Sequence, residues 1–289
     1  MSAAVQLKDR GIRLAVGFFD GVHLGHRRIL AGTDAVLTFR NHPMSVLDPA
    51  RAPALLMDVD ERISMLRTVG ARRPRAVHAV EFTKRFASMT PEDFVSYLRR
   101  EFPNLERVHC GGNWRFGANG AGTPQTLRDF GFSVKVSRYA KSGDKAISST
   151  RIRAALAEGD IGLANSMLGR RFSISGCAVR GKGVGRKLGA PTLNFEVSPP
   201  LRLGVYVVDT PYGRGVANYG TAPTMGDCSW RAPVLEVHLL DGCNINEEVS
   251  ESSLKVEFVR FLRPERRFGS SAALSRQIAA DVRAARLTL

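Results

Sequence analysis

Residues 16 to 29 read Val-Gly-Phe-Phe-Asp-Gly-Val-His-Leu-Gly-His-Arg-Arg-Ile and place His23 and His26 three apart. The apolar run before them (Ile12, Leu14, Ala15, Val16) predicts a buried strand, and Gly17 and Gly21 let the chain turn sharply into a helix. At the start of a helix, a spacing of three puts both imidazoles on one face. Free N–H groups and a partial positive charge gather at such an end. The histidines, backed by Arg27 and Arg28, therefore suit a polyanion such as a nucleoside triphosphate, with Gly17, Phe18 and Gly25 in the turn that wraps it. A bare H-x-x-H would read as two surface histidines, but the glycines and aromatic residues around this pair make that reading a poor fit.

A second string, Ile147 to Arg153, opens another helix. Taken alone it is a good N-cap. Following the histidine string in the same sheet, it predicts a second phosphate grip through Ser148, Ser149, Thr150 and Arg153. A third runs from Gly181 to Asn194 and has neither Walker nor Rossmann spacing. Its Gly181 and Gly189 allow backbone to wrap phosphate, Lys182 adds charge, and in the closing run Pro191-Thr192-Leu193-Asn194 the threonine and asparagine can offer oxygens to magnesium. An ordinary loop between strands is the alternative. Glu236 alternates with apolar neighbours in Leu235-Glu236-Val237-His238. It is either a solvent-side residue or a carboxylate that accepts a hydroxyl proton during phosphoryl transfer.

These groups need elements to hold them. Strands are expected at Ala35 to Phe39, Ala76 to Phe82, Val108 to Cys110 and Ser133 to Val136, alternating with helices at Asp60 to Val69 and from Thr90-Pro91-Glu92-Asp93 to about Phe102. Gly32 should end the first helix. The helix opened at Ile147 is expected to carry Ile152, Leu156, Ile161 and Leu163 on its apolar side. Alternation of this kind implies an α/β fold with a Rossmann-like parallel sheet and ligands at the carboxyl ends of its strands. From about Leu168-Gly169 the pattern changes to short strands at 172–179, 192–197, 204–209, 215–219, 234–240 and 254–262, spaced like a small antiparallel barrel. A C-terminal helix from Ser271, with Leu274, Ile278 and Val282 four apart, would cover it. Domains are expected at 1–168 and 169–289.

With 289 residues, 44% hydrophobic and 24% charged, the chain fits two globular domains. No stretch approaches the roughly 18 apolar residues of a membrane span, and Met1 to Lys8 has no signal-peptide core, so a cytoplasmic setting is expected. Cys110, Cys177, Cys228 and Cys243 form no C-x-x-C pair and read as reduced, packing cysteines. The net charge of +15 suits either nucleic acid or bound phosphates. Its arginines are scattered, with no basic helix or aromatic RNA-binding signature, so no specific nucleic-acid partner and no membrane partner is expected.

The histidine string resembles the HxGH signature of nucleotidyltransferases. With Thr38-Phe39, His42-Pro43, Gly112, Arg115-Phe116-Gly117, Ile147 to Arg153, Leu188 to Asn194, Gly204-Val205-Tyr206, Pro223-Thr224, Glu236-Val237-His238, and Leu262 to Glu265 with Phe268, nearly the whole chain resembles the bacterial bifunctional riboflavin kinase/FMN adenylyltransferase family. The resemblance implies a C-terminal kinase that makes FMN from riboflavin and ATP with Mg2+, and an N-terminal module that adenylylates FMN to FAD and releases pyrophosphate. It implies ATP contacts from His23, His26, Ser148, Ser149, Thr150 and Arg153, metal and phosphate contacts from Thr192 and Asn194, and Glu236 as base. His42, Asn113, Arg263 and Phe268 are its candidate flavin contacts, and self-association into a homo-oligomer goes with it. Two alternatives stand beside it: a kinase with a degenerate adenylyltransferase module, and a non-catalytic flavin- or RNA-binding regulator.

Overall fold

The computed structural model describes residues 11–72, 74–177, 179–180, 192–196, 198–220, 233–240, 253–266 and 268–288. It separates into two compact units, Met1–Ser149 and Thr150–Leu289.

The first unit runs β1 (Ile12–Val16), α1 (Leu24–Leu30), β2 (Ala35–Phe39), α2 (Met44–Leu47), α3 (Val59–Thr68), β3 (Ala76–Val80), α4 (Lys84–Ala87), α5 (Pro91–Glu101), β4 (Leu105–Gly111), α6 (Pro124–Asp129), β5 (Ser133–Ser137) and a small hairpin of β6 (Lys141–Ser142) and β7 (Lys145–Ala146). The five longer strands are all parallel, in the order β3-β2-β1-β4-β5. Side chains alternate across the sheet and both faces are buried, as a parallel sheet requires. Leu14, Val16 and Leu37 pack with Phe94, Leu98 and Leu127 on one face, while Ala15 and Val36 pack with Leu30 and Leu66 on the other. The expected start of α5 is present as a reciprocal cap: the Asp93 N–H donates to Thr90 Oγ1 and the Thr90 N–H donates to Asp93 Oδ2, both at 3.1 Å. Strand order reverses between β1 and β4, so the loops after these two strands open a crevice at their carboxyl ends.

The helix expected to run from Ile147 past Leu163 is instead two. α7 (Ser149–Glu158) stops at Gly159, whose φ of 83° is left-handed, and Asp160 then caps α8 (Ile161–Leu168) by accepting the Leu163 N–H at 2.9 Å. The second unit continues with β8 (Phe172–Cys177), β9 (Val179–Arg180), β10 (Thr192–Glu196), β11 (Gly204–Thr210), β12 (Gly213–Gly220), β13 (Val234–Leu239), β14 (Ser253–Pro264) and α9 (Ser271–Arg286). Their antiparallel sheet has the order β8-β14-β11-β12-β13-β10-β9. Its first and last strands are separated by one residue of chain, so the sheet curls round onto itself, the barrel the sequence predicts.

The two faces of this sheet do different things. Leu193, Val237, Ala217 and Tyr206 lie in one cross-strand row, and all four are buried inside the curl. On the outward face Val205, Val207 and Val216 pack against Val282 and Ala285 of α9. Leu274 and Ile278 of α9 are only half-buried.

Candidate active sites

At the end of β1 the backbone is forced into unusual geometry. Phe19 and Val22 have φ of 60° and 40°, left-handed values that are uncommon for any residue but glycine and strained for a β-branched one. Packing holds them there: Phe19 and Val22 are buried with Ala15, Leu30 and Leu66. Asp20 pins the turn from both sides. Its carboxylate accepts the Leu56 N–H at 3.0 and 3.2 Å, and its carbonyl accepts the Ser149 hydroxyl at 2.9 Å.

This turn delivers His23 to the cap position of α1, where its Nδ1 accepts the His26 N–H at 3.2 Å. A neutral His23 therefore carries its proton on Nε2. The two imidazoles stack at 3.5 Å with 16° between planes, the common face that their spacing predicts. Phe19 meets His26 edge-on at 5.3 Å. Burial above all, then the charges of His23 and Arg62, hold His26 well below the ordinary histidine range. His26 is thus a neutral imidazole at pH 7, able to donate a hydrogen bond without carrying a buried charge. A Cβ on Gly25 would lie 2.9 Å from His23 Cε1, so only glycine lets the stacked pair keep this position.

Phe18 organises the other flank. Its carbonyl accepts the Thr38 hydroxyl at 3.1 Å, its ring meets His42 edge-on at 4.6 Å, and the Arg62 guanidinium lies 3.9 Å over it. His42 thus comes to the same side of the sheet as the histidine pair. Its Nδ1 accepts the Met44 N–H at 3.0 Å. Asn113 follows β4 at the crevice, exposed, with its side-chain oxygen close over Gly111. Ser149, expected to face phosphate, instead ties the Asp20 turn. Thr150 and Arg153 lie on α7, beyond the boundary of the first unit.

Asp20 and Arg62 join this site from outside the phosphate-binding motifs. Arg62 stands four residues before Leu66 on the buried stripe of α3, a misplaced charge that was the available signal. It is 1% exposed, and burial, opposed by Asp20 and Asp58, brings its pKa down to about 10.

In the second unit the strand register assembles a polar row. Arg263, Val205, Asn218, Glu236 and Asn194 are successive cross-strand partners in backbone register on β14, β11, β12, β13 and β10, and Val205 and Glu236 lie on the outward face. Thr192 pairs with His238 one step along. Glu236 is raised above the usual carboxylate value by burial and then by the charge of Glu265. Glu265 lies across Gly220 of β12, and a side chain at Gly220 would collide with its carboxylate. Burial lowers His238. Arg263 forks onto Asp281 of α9 at 3.0 and 2.7 Å, with Phe268 5.9 Å from its guanidinium, so these two flavin candidates do come together, with the arginine's charge already engaged. Asn218 and Glu265 were not singled out as site residues from sequence. Gly181, Lys182, Gly189 and Pro191 lie outside the described residues.

Among the described residues no group of three His, Cys, Asp or Glu could hold a metal, and no helix is long and apolar enough to cross a membrane. Cys110 is buried with a free thiol.

Two family models match the chain: FAD synthetase over residues 5–151 and riboflavin kinase over residues 168–289. A bifunctional riboflavin kinase/FMN adenylyltransferase of Bacillus subtilis is 32% identical over 93% of this chain and 89% of its own length. One of Escherichia coli is 34% identical over 97% and 94%. A solved Streptococcus pneumoniae structure, titled a macrolide-efflux protein, aligns with a TM-score of 0.81 over 98% of this chain and 96% of its own. At 24% identity that likeness speaks to the fold alone.

Proposed function

The chain belongs to the bifunctional riboflavin kinase/FMN adenylyltransferase family, and from that premise we propose how its residues divide two consecutive reactions. It phosphorylates riboflavin to FMN and adenylylates FMN to FAD. The observation that carries the assignment of the second step is the stacked imidazole pair on the α1 N-terminus, at the reversal point of the parallel sheet.

In adenylyl transfer an FMN phosphate oxygen attacks the α-phosphorus of ATP and pyrophosphate leaves. FMN is already a nucleophile, so the protein aligns the reactants and neutralises charge, and no covalent intermediate is needed. His23 and His26 donate to the reacting phosphate, and α1 adds its terminal N–H groups. Ser148 grips the leaving phosphates, with Gly17, Phe18 and Gly25 lining the turn, while Ser149 holds that turn through Asp20. His42 and Asn113 face the flavin.

In the kinase Glu236 takes the ribityl hydroxyl proton as the oxygen attacks the γ-phosphorus. Thr192 and Asn194 would hold Mg2+, a reading supported by their oxygen-bearing residue types and by the backbone register that pairs Asn194 with Glu236, and a bound ion would supply charge neutralisation at the phosphates. Gly181, Lys182, Gly189 and Pro191 wrap the ATP phosphates, and Arg263 with Phe268 borders the flavin. The boundary between the domains is placed at Leu168/Gly169, supported by the end of α8 and the start of the kinase match. ATP as co-substrate supports a cytoplasmic setting. Self-association into a homo-oligomer completes the reading. Product chromatography from riboflavin, ATP and magnesium tests the whole: FMN and then FAD should form, and absence of both would sink it.

Two further outcomes are expected. Gly25→Ala pushes a methyl into the His23 ring and should slow FAD formation from FMN on the order of 10²-fold, the cost of a misplaced reacting group, with FMN formation from riboflavin as the unchanged control. The kinase should show an unusual acid limb. Glu236 works only when ionised, and burial with Glu265 raises its pKa, so kcat/KM for riboflavin should fall on acidification above the ordinary carboxylate range of about 4.3. Glu265→Gln removes one cause of the rise and should move that limb to lower pH. An unmoved limb would separate the two carboxylates.

A further inference from the structure

Arg62 is a buried cation with unmet hydrogen-bonding capacity. Its Nη2 donates to the carbonyls of Phe39 and Arg40 at 2.5 and 3.2 Å, and its guanidinium stacks on Phe18. Nε and Nη1 are buried without a hydrogen-bond partner, as is Nδ1 of His26 across the same turn. Among the described residues Arg62 has no ion-pair partner. Asp58 caps its own helix through Asp60 and Glu61, and Asp20 accepts the Leu56 N–H. Leaving charged donors unsatisfied in a dry site is costly, and a native site retains them where an incoming group satisfies them.

We infer that Arg62 is the forked receptor for a substrate phosphate in the adenylyl-transfer site, sharing that phosphate with His26 once the Phe18 turn admits it. Guanidinium offers two parallel N–H groups that match a phosphate edge, whereas lysine offers a point charge. The ligand chemistry is a phosphate oxygen pair, and the reaction supplies two sources: the triphosphate of ATP and the phosphomonoester of FMN. This inference rests on the proposed histidine site. His26→Ala tests that reading separately, since FAD formation surviving that change would sink the site, while loss of FAD formation there with a neutral Arg62 would sink only this inference.

The experiment measures FAD formation from supplied FMN and ATP with the full chain, together with the reverse reaction from FAD and inorganic pyrophosphate, for wild type, Arg62→Gln and Arg62→Lys. The lysine variant keeps a cation and a donor for the Phe39 and Arg40 carbonyls, so it decides the matter if the glutamine variant melts. Loss of a charge-assisted fork predicts a rise in KM of about 10- to 100-fold for one substrate. A rise for FMN with KM for ATP within about twofold of wild type assigns the phosphomonoester. A rise for ATP and for pyrophosphate assigns the triphosphate. Either supports the inference. Both KM values near wild type in a folded variant, or both rising in step with lost thermal stability, would place Arg62 in the scaffold and overturn it.

Discussion

His26→Ala should remove FAD formation and leave FMN formation untouched. The imidazole is held neutral by burial, stacked on His23 and set at the helix end where phosphate charge develops. Deleting one preorganised donor to a developing oxyanion costs about 10² to 10³ in rate. The larger figure is expected here, because alanine keeps the backbone N–H that His23 Nδ1 accepts but removes the ring on which the His23 imidazole stacks. The kinase sits in a separate compact unit with its own core, so riboflavin consumption provides the internal control. Chromatography should show FMN accumulating where wild type passes it on. Wild type that itself stops at FMN would revive the reading of a degenerate adenylyltransferase module, and FAD made at the normal rate by the variant would remove the pair from the chemistry.

Glu236→Gln should do the reverse. The amide keeps the shape and the position between Asn218 and Asn194 in the cross-strand row, but it accepts no proton. Loss of a positioned general base costs roughly 10² to 10⁴ in rate. Riboflavin phosphorylation should fall by that factor, while FMN added from outside is still converted to FAD. The substitution also removes a partly buried carboxylate that Glu265 repels, so the variant should melt no lower than wild type. A variant that lost both activities together would indicate unfolding rather than chemistry, and unchanged FMN formation would show that the base lies elsewhere.

The sequence disclosed what is local. The three-residue step from His23 to His26 contains the stack, Thr90 and Asp93 contain their cap, and alternation along 234–239 contains the face on which Glu236 lies. Most of what it concealed depends on partners far along the chain. Ser149 reads as a phosphate-facing hydroxyl until the fold brings the Asp20 carbonyl to it across 129 residues. Glu265 and Glu236 come to interact only because the chain leaving β14, which pairs with β11, carries Glu265 across to Gly220 of β12. Arg62 was hidden differently: a charge on a buried helix stripe looks like a solvated residue until the burial is known. Short pieces were also invisible, since α2 and α4 have four residues each and no room for a periodic pattern. The break between α7 and α8 was legible in Gly159-Asp160, a stop followed by a cap, but apolar spacing carried the expectation across it.

The strand that bears Glu236 presents its carboxylate outward and Leu235, Val237 and Leu239 inward. Sliding it by a single position during folding would bury the acid in the oily lumen and turn three greasy side chains to water. Correct assembly and catalytic competence are thereby verified by the same alignment, and a mispaired copy would be both inert and conspicuous to the machinery that clears exposed apolar surface.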